Sequence, residues 1–193
     1  MLGRAWLDDI ASFNMPSVIV SHYSAEWPDL FRAVREELLS VFTPTVVDVE
    51  HIGSTSVPGL AAKPVIDILL GARSLTDIES HIGPLSELGY AYVQKYEREL
   101  PMRRYFVKSP AASLRVHLHG VAFGSRLWQE HLAFRDALRA DDGLRAQYQS
   151  LKLHLAQVFG DDKSAYTAAK DPFIQSVLTA AVVSGHVDLP LTV

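Results

Sequence analysis

A loop rich in glycine and hydroxyl residues precedes one acidic residue in this 193-residue chain. The stretch EHIGSTSVPGLAAKPVIDILL, residues 50–70, places Asp67 inside its apolar end. The loop residues are Gly53, Ser54, Thr55 and Ser56. Glycine lets the backbone approach a ligand closely, and successive amides beside hydroxyls can bind an anion. No Gly-Lys-Ser/Thr follows, so this is not the Walker sequence, although Lys63 would supply a counter-charge. The pattern predicts a phosphate-binding loop, unless its hydroxyls only cap the backbone.

A second polar segment, RVHLH at residues 115–119, alternates with apolar residues. On a strand, Arg115, His117 and His119 would share one face. Imidazoles favour Zn²⁺, Mn²⁺ or Fe over Mg²⁺, which prefers oxygen ligands. Protonated, they would instead bind phosphate or act as general acids and bases. A solvated or hydrogen-bonded strand face is the remaining alternative. Arg103 and Arg104 would add positive charge, but only one of the two can face a pocket.

Composition limits the classes of function. The chain is 48% hydrophobic and 21% charged, with a net charge of −4 and no cysteine. These values are typical of a soluble globular protein and exclude disulfides, thiol catalysis and thiolate metal sites. The acidic balance disfavours nucleic-acid and membrane partners, and no obligate protein partner is evident. No apolar run reaches membrane-spanning length, and Asp8 and Asp9 interrupt any secretory signal, so we expect a cytoplasmic protein.

The elements that must position these residues follow from apolar periodicity. Helical spacing predicts a first helix from Trp27 to Phe42, ended by Pro44. A helix is expected from Leu75, interrupted or ended at Gly83-Pro84, with another turn over 85–88. Further helices are expected near residues 125–139, 143–159 and 164–183. Strands are expected near residues 45–49, 64–70, 91–96, 104–107 and 114–121. This order predicts an α/β (α+β) domain, with a small mixed β-sheet, helices on one side and a C-terminal helical subdomain. We expect one domain over 18–183 (sheet core about 24–123, helical part about 125–183), an irregular extension over 1–17 and a tail over 184–193.

Several long motifs resemble one protein family. The run HIGSTSVPGLAAKPVIDILL is similar to the signature of the GrpB family. Further matching motifs are MRRYFVK, HLHGV, LWQEHLAFRDALR, AQYQSLKLHLA and YTAAKDPFI. The resemblance covers roughly residues 18–178, and it implies the nucleotidyltransferase fold, a mixed sheet with flanking helices and a C-terminal helical subdomain.

The resemblance also implies particular site residues. Gly53-Ser54 would contact nucleotide phosphates, and the next strand would carry an Asp-x-Asp or Asp-x-Glu pair for a divalent metal, Mg²⁺ or Mn²⁺. Such a metal bridges phosphate oxygens and offsets charge in the transition state. This chain departs from that pattern, because the same-face neighbours of Asp67 are Val65 and Leu69. The resemblance further makes Lys152, Tyr166 and Lys170 candidate pocket residues.

We therefore predict a composite site. Asp67 and Glu50 would be catalytic carboxylates and metal ligands, with His117 and His119 replacing the missing acids. Zn²⁺ becomes a candidate ion if the histidines ligate.

Three functions are compatible with these residues. The first is transfer of a nucleotidyl group from a nucleoside triphosphate to a small-molecule acceptor. The second is a non-catalytic module that binds a nucleotide or another phosphorylated metabolite. The resemblance makes a coenzyme A-related compound a candidate ligand, because related domains can occur fused to dephospho-coenzyme A kinase. The third is a metal-dependent phosphohydrolase that uses the two histidines.

Overall fold

A computed structural model describes residues 18–42 and 46–183 of the chain. The expected N-terminal extension and C-terminal tail lie outside these residues. In chain order the elements are α1 (Trp27–Phe42), β1 (Val46–Ile52), β2 (Val65–Ala72), α2 (Leu75–Glu79), α3 (Ile82–Glu87), β3 (Tyr90–Tyr92), β4 (Arg103–Lys108), β5 (Arg115–Ala122), α4 (Arg126–Ala140), α5 (Asp142–Val158), α6 (Lys163–Ala168) and α7 (Asp171–Val183). Short 3₁₀ turns cover Ser54–Ser56 and Gln94–Glu97. Among the described helices, none has the length and apolar character needed to cross a membrane.

The five strands form one mixed sheet in the order β1-β2-β5-β4-β3. Strands β2 and β5 run parallel, and the other three pairs are antiparallel. In the central parallel pair, Asp67 lies opposite His117 and Leu69 lies opposite His119. On β4, Tyr105 lies opposite His119. Since opposite residues in neighbouring strands share a face, one face of the sheet carries the carboxylate and both imidazoles.

The two faces of the sheet have different roles. One face packs against α1, α2 and α3 in the main core, where Ile66, Ile68 and Leu118 are almost fully buried. On the other face, Trp128 of α4 packs against Leu69 in a smaller cluster. Helices therefore cover both faces, in contrast to the one-sided arrangement expected from the element order. The mixed α/β fold itself is confirmed.

The C-terminal helices close over the end of the sheet that carries the glycine-rich loop. Val57 and Leu60, which follow the loop, pack against Leu138 of α4 and Tyr148 of α5. The expected single helix over 164–183 is wrong, since α6 ends at Ala168 and α7 begins at Asp171. Proline at 172 is tolerated in the first turn of a new helix but not within a continuous one.

The strand expected over 91–96 is shorter than predicted. Strand β3 ends at Tyr92, and a 3₁₀ turn follows from Gln94 to Glu97. In this turn Tyr96 packs edge-on against Tyr105 of β4, with ring centroids 5.7 Å apart. Past Tyr92, a backbone hydrogen bond from Val93 N to the carbonyl of Tyr105 at 2.8 Å joins this segment to β4 before the turn begins.

Candidate functional site

Asp67 is the acidic centre of a cavity of about 380 Å³. Its Oδ1 lies 3.2 Å from His117 Nδ1 and 3.9 Å from His119 Nε2. Burial by itself raises the pKa of Asp67, but the contacts with His117 and His119 outweigh it and hold this pKa well below its usual range. Burial lowers the pKa of His119. The cavity therefore contains an ionised carboxylate beside two imidazoles.

The glycine-rich loop touches this carboxylate directly. Gly53 has a φ of +68°, and a Cβ at this position would collide with Asp67 Oδ2 and lie 3.0 Å from its Cγ. Glycine is therefore required both by the backbone conformation and by the close approach of the carboxylate. This contact explains why glycine precedes the hydroxyl residues.

The three hydroxyl groups of the loop have different roles. Thr55 lines the cavity, but its Oγ1 donates to the carbonyl of Val65 at 2.9 Å and contacts His51 Nε2 at 3.1 Å. Ser56 Oγ donates to the carbonyl of Gly53, so these two hydroxyls stabilise the loop. Ser54 instead lines the cavity and accepts a hydrogen bond from the ammonium of a lysine on α5.

Lysines from the loop and the C-terminal helices form the wall that faces Asp67. Lys63, Lys152 and Lys170 line the cavity together with Tyr166. Lys152 is 2% exposed, and its Nζ donates to Ser54 Oγ at 2.9 Å and to a backbone carbonyl of the loop. Burial, with the nearby charge of Lys170, lowers the pKa of Lys152 to about 7. Burial is also the main cause of the lowered pKa of Lys63 and of Lys170. Sequence resemblance alone had indicated Lys152, Tyr166 and Lys170, and the fold brings them together with Asp67.

Glu50 is not brought into the cluster of Asp67 and the two histidines. Its carboxylate pairs with Arg135 of α4, and it lines a separate cavity of about 440 Å³ together with Ser56. The donor atoms that lie within 4.8 Å of one another belong to Asp67, His117 and His119. The predicted carboxylate pair is therefore divided between two cavities.

The three predicted arginines also separate. Arg103 shares the sheet face of Asp67, and its Nη1 lies 3.3 Å from His119 Nδ1. Arg104 lies on the opposite face and pairs with Glu79 of α2, as strand alternation requires. Arg115 is exposed at the start of β5, where its Nε donates to Ser109 Oγ. Within the described part of the chain, Arg103 is the one arginine of the three that forms a hydrogen bond with a residue of the cavity wall.

Helix α4 contributes residues that sequence reasoning missed. His131 and Arg135 line the cavity, and the ring of His131 lies 5.8 Å from that of His119. Burial lowers the pKa of His131 to about 3, so this ring is neutral. Phe134 and Tyr148 pack against each other edge-on and also line the cavity. The spacing of His131 and Arg135, one helical turn apart, was the available signal.

The donor set around Asp67 differs from the metal site that the fold implies. A Mg²⁺ site of the two-carboxylate type does not fit, because β2 supplies one carboxylate and Glu50 pairs with Arg135. One carboxylate with two imidazoles is instead a donor set for transition metals. Asp67, His117 and His119 are the residues that would hold such an ion.

Comparisons with known proteins identify relatives along most of the chain. The sequence model described as GrpB protein matches residues 17–180. The glutamate-rich protein GrpB of Alkalihalophilus pseudofirmus is 33% identical over 169 residues, which cover 86% of this chain and 96% of that protein. A dephospho-CoA kinase of Mycolicibacterium paratuberculosis is 29% identical over 81% of this chain, but the match covers only 44% of the kinase.

Solved structures give the same assignment. The crystal structure of conserved protein GrpB from Enterococcus faecalis superposes with a TM-score of 0.78 and 34% identity, covering 88% of this chain and all of that one. The Cid1 poly(U) polymerase is 16% identical with a TM-score of 0.52, covering 78% of this chain and 49% of the polymerase, so that likeness shows a nucleotidyltransferase-like fold alone. From its sequence match and its fold, the chain belongs to the GrpB family.

Proposed function

We propose that the chain binds a nucleoside triphosphate in the Asp67 cavity and transfers its nucleotidyl group to a small-molecule acceptor. The observation that carries this proposal is the set of three lysines in the cavity wall. In the described part of the chain, the lysine that pairs with a carboxylate is Lys108, on the other face of the sheet. Lys63, Lys152 and Lys170 have no such partner among these residues, although each is partly or fully buried.

A buried ammonium that is not paired with a carboxylate is stabilised when a ligand supplies the opposite charge, and the single carboxylate of Asp67 cannot balance three lysines. Three such groups around one cavity match the charge of a polyphosphate better than that of a neutral substrate. Ser54, at the first turn after Gly53, adds a hydroxyl at the same wall. The arrangement therefore favours a phosphorylated ligand whose phosphates lie between the loop and helix α5.

In the proposed reaction, an acceptor hydroxyl gives its proton to water while its oxygen forms a bond to the α-phosphorus. The bond from that phosphorus to the leaving pyrophosphate breaks. The cavity lysines would offset the charge that develops on the leaving pyrophosphate. A divalent ion bound at Asp67 would add charge neutralisation at the phosphate oxygens. Phe134 and Tyr148 provide aromatic surface in the same cavity for the remainder of the nucleotide.

A second candidate function is binding without transfer. It is favoured by the single carboxylate on β2, because metal-assisted transfer in this fold is expected to use two. A match to part of a dephospho-CoA kinase makes coenzyme A-related compounds reasonable ligands to test.

A thermal-stabilisation screen tests the binding proposal. Nucleoside triphosphates, coenzyme A and dephospho-coenzyme A are compared with and without divalent ions. Lys152→Met should abolish stabilisation by the ligand, whereas Lys95→Met, an exposed lysine on the 3₁₀ turn, should leave it unchanged. If no phosphorylated compound stabilises the protein, both candidate functions are refuted.

Pyrophosphate release in the presence of metabolite pools then tests transfer. Turnover that disappears in Asp67→Asn supports the transferase. Ligand binding without turnover, altered by Asp67→Asn only in affinity, identifies a binding module. Release of inorganic phosphate instead would favour the phosphohydrolase. A cytoplasmic location, and independence of nucleic acid, membranes and an obligate protein partner, stay predictions from composition.

A further inference from the structure

We propose that Asp67, His117 and His119 form a binding site for a single transition-metal dication, such as Zn²⁺, Mn²⁺, Co²⁺ or Fe²⁺, in preference to Mg²⁺. The inference rests on the proposed function only for the role of the ion, which would face the phosphates of the ligand. The site itself follows from the chain's own donor atoms, and it is measurable without a nucleotide.

Two adjacent parallel strands hold the three donors in a fixed relation. Asp67 and His117 lie opposite each other in the β2–β5 register, and His119 follows two residues later on the same face. The side chains are 27%, 25% and 12% exposed, respectively, so they lie below the surface but face the cavity. Ligands on paired strands in the centre of a sheet are held more rigidly than ligands on loops.

The distances are close to those of a metal site. Ligand atoms about 2.1 Å from an ion, separated by about 90–110°, lie about 3.0–3.4 Å apart. The 3.2 Å between Asp67 Oδ1 and His117 Nδ1 is within this range. The 3.9 Å to His119 Nε2 is longer than this range, and all three donor atoms lie within 4.8 Å of one another, so binding an ion would require side-chain rotation that shortens these distances. One carboxylate and two imidazoles leave further positions open toward the lysine wall.

The chemistry of the donors decides the class of ion. Mg²⁺ requires oxygen ligands in nearly octahedral arrangement, whereas imidazole nitrogen binds later divalent metals more strongly. The same-face neighbours of Asp67 are Val65 and Leu69, which have no donor atoms in their side chains. The Asp67 cluster therefore selects against Mg²⁺ by its ligand types.

The contact between Arg103 and His119 predicts an effect on the affinity for the ion. A guanidinium can only donate, so His119 Nδ1 accepts from Arg103 and the proton of the neutral ring lies on Nε2. An ion on Nε2 moves that proton to Nδ1, where Arg103 no longer has an acceptor. Arg103→Gln, whose amide oxygen can accept from Nδ1, should therefore bind the ion more tightly. A cluster that is only a hydrogen-bond network predicts no such gain.

The test is a titration of the nucleotide-free protein with Co²⁺, followed by its visible d–d absorption and by calorimetry. We expect one ion per chain, displacement by Zn²⁺, and no displacement by a large excess of Mg²⁺. His117→Ala and His119→Ala should each weaken Co²⁺ binding by more than about 100-fold, the upper end of what second-shell substitutions cost. Arg103→Gln should tighten it by about tenfold. His154→Ala, an exposed histidine on α5, is the matched control and should bind as the unchanged protein does.

Each opposite result overturns the proposal. Absence of Co²⁺ binding, equal loss in the His154 control, or displacement by Mg²⁺ at similar concentration would each do so. His119→Gln and Asp67→Asn, which preserve size and hydrogen bonding, keep the test valid if an alanine variant does not fold. Thermal stabilisation by a nucleotide, measured without divalent ions, does not depend on the ion site. Failure of the ion site and failure of the proposed function are therefore distinguishable.

Discussion

Lys152 should make the free energy of unfolding depend strongly on pH between neutral and alkaline conditions. Its pKa in the folded protein is about 7, against an ordinary value of 10.5. Between these two values the unfolded chain keeps a proton that the folded protein has released. Stability therefore rises with pH across this window, because the unfolded state binds more protons.

The magnitude follows from the two pKa values. One proton difference changes the free energy of unfolding by about 1.4 kcal/mol per pH unit. From about pH 7.5 to about pH 9.5 the Lys152 contribution amounts to about 2.5 kcal/mol, after the partial titration at each end is included. Lys152 is 2% exposed, so solvent screening does not reduce this value appreciably.

The assay is urea unfolding of the unchanged protein and of Lys152→Met at several pH values in phosphate-free buffer. The stability of the unchanged protein relative to the variant should increase by about 2.5 kcal/mol over the window. Loss of the hydrogen bonds from Lys152 to Ser54 and Ala61 changes the difference by an amount that is nearly independent of pH. Lys95→Met, which removes an exposed lysine, serves as the control and should show no such change.

A bound polyphosphate should remove the effect. An anion beside Lys152 stabilises its charged form and raises its pKa toward the unfolded value, so a saturating nucleoside triphosphate should flatten the pH dependence. The reasoning is refuted if, without ligand, the difference in free energy of unfolding between the unchanged protein and Lys152→Met changes by less than about 0.5 kcal/mol from about pH 7.5 to about pH 9.5. Lys152 would then be charged and stabilised in the folded protein without any anion.

Three further predictions concern single residues. Gly53→Ala should destabilise the protein by about 2–3 kcal/mol, and Gly59→Ala, at a φ of +78° with open space, by about 1 kcal/mol. Equal costs in chemical unfolding would contradict the close approach of the Asp67 carboxylate to the loop. Glu50→Gln should change Co²⁺ affinity by less than about twofold and lower stability by about 1–2 kcal/mol, because its buried arginine loses a carboxylate. A large fall in affinity in calorimetry would return Glu50 to the ligand set. Burial lowers the pKa of His51 to about 4, so stability should fall by about 2 kcal/mol from about pH 6.5 to about pH 4.5, as the unfolded chain takes up the proton first. His51→Phe should lose this pH dependence of stability, and the control His154→Phe should keep it. If urea unfolding of His51→Phe and of the unchanged protein shows the same pH dependence, the His51 ring is accessible to protons in the folded protein.

Local periodicity was sufficient for most elements of the fold. The helix Trp27–Phe42 was predicted at its observed bounds, and the central strands were predicted to within two residues. Burial of one face repeats along a helix or strand, so the signal lies within a few residues of sequence. Apolar spacing alone did not predict the end of α6; the local signal for it was Pro172, which is tolerated in the first turn of α7 but not within a continuous helix.

The site shows the same division between local and non-local information. Strand alternation alone predicts that His117 and His119 share a face, and that Arg103 and Arg104 do not. Whether Glu50 approaches Asp67 depends on Arg135, which is 85 residues away in sequence and binds the Glu50 carboxylate. No local pattern contains that contact.

By itself the sequence determined the donor types of this site: a glycine before hydroxyls, one strand carboxylate and two imidazoles at alternate positions. Only the tertiary structure decided which groups meet, because packing of distant helices onto the sheet selects them. It placed Lys152, Lys170 and His131 around Asp67, and it placed Glu50 in another cavity. The physical reason is that side-chain alternation is set by the backbone of a few residues, whereas helix docking depends on contacts between segments far apart in the chain.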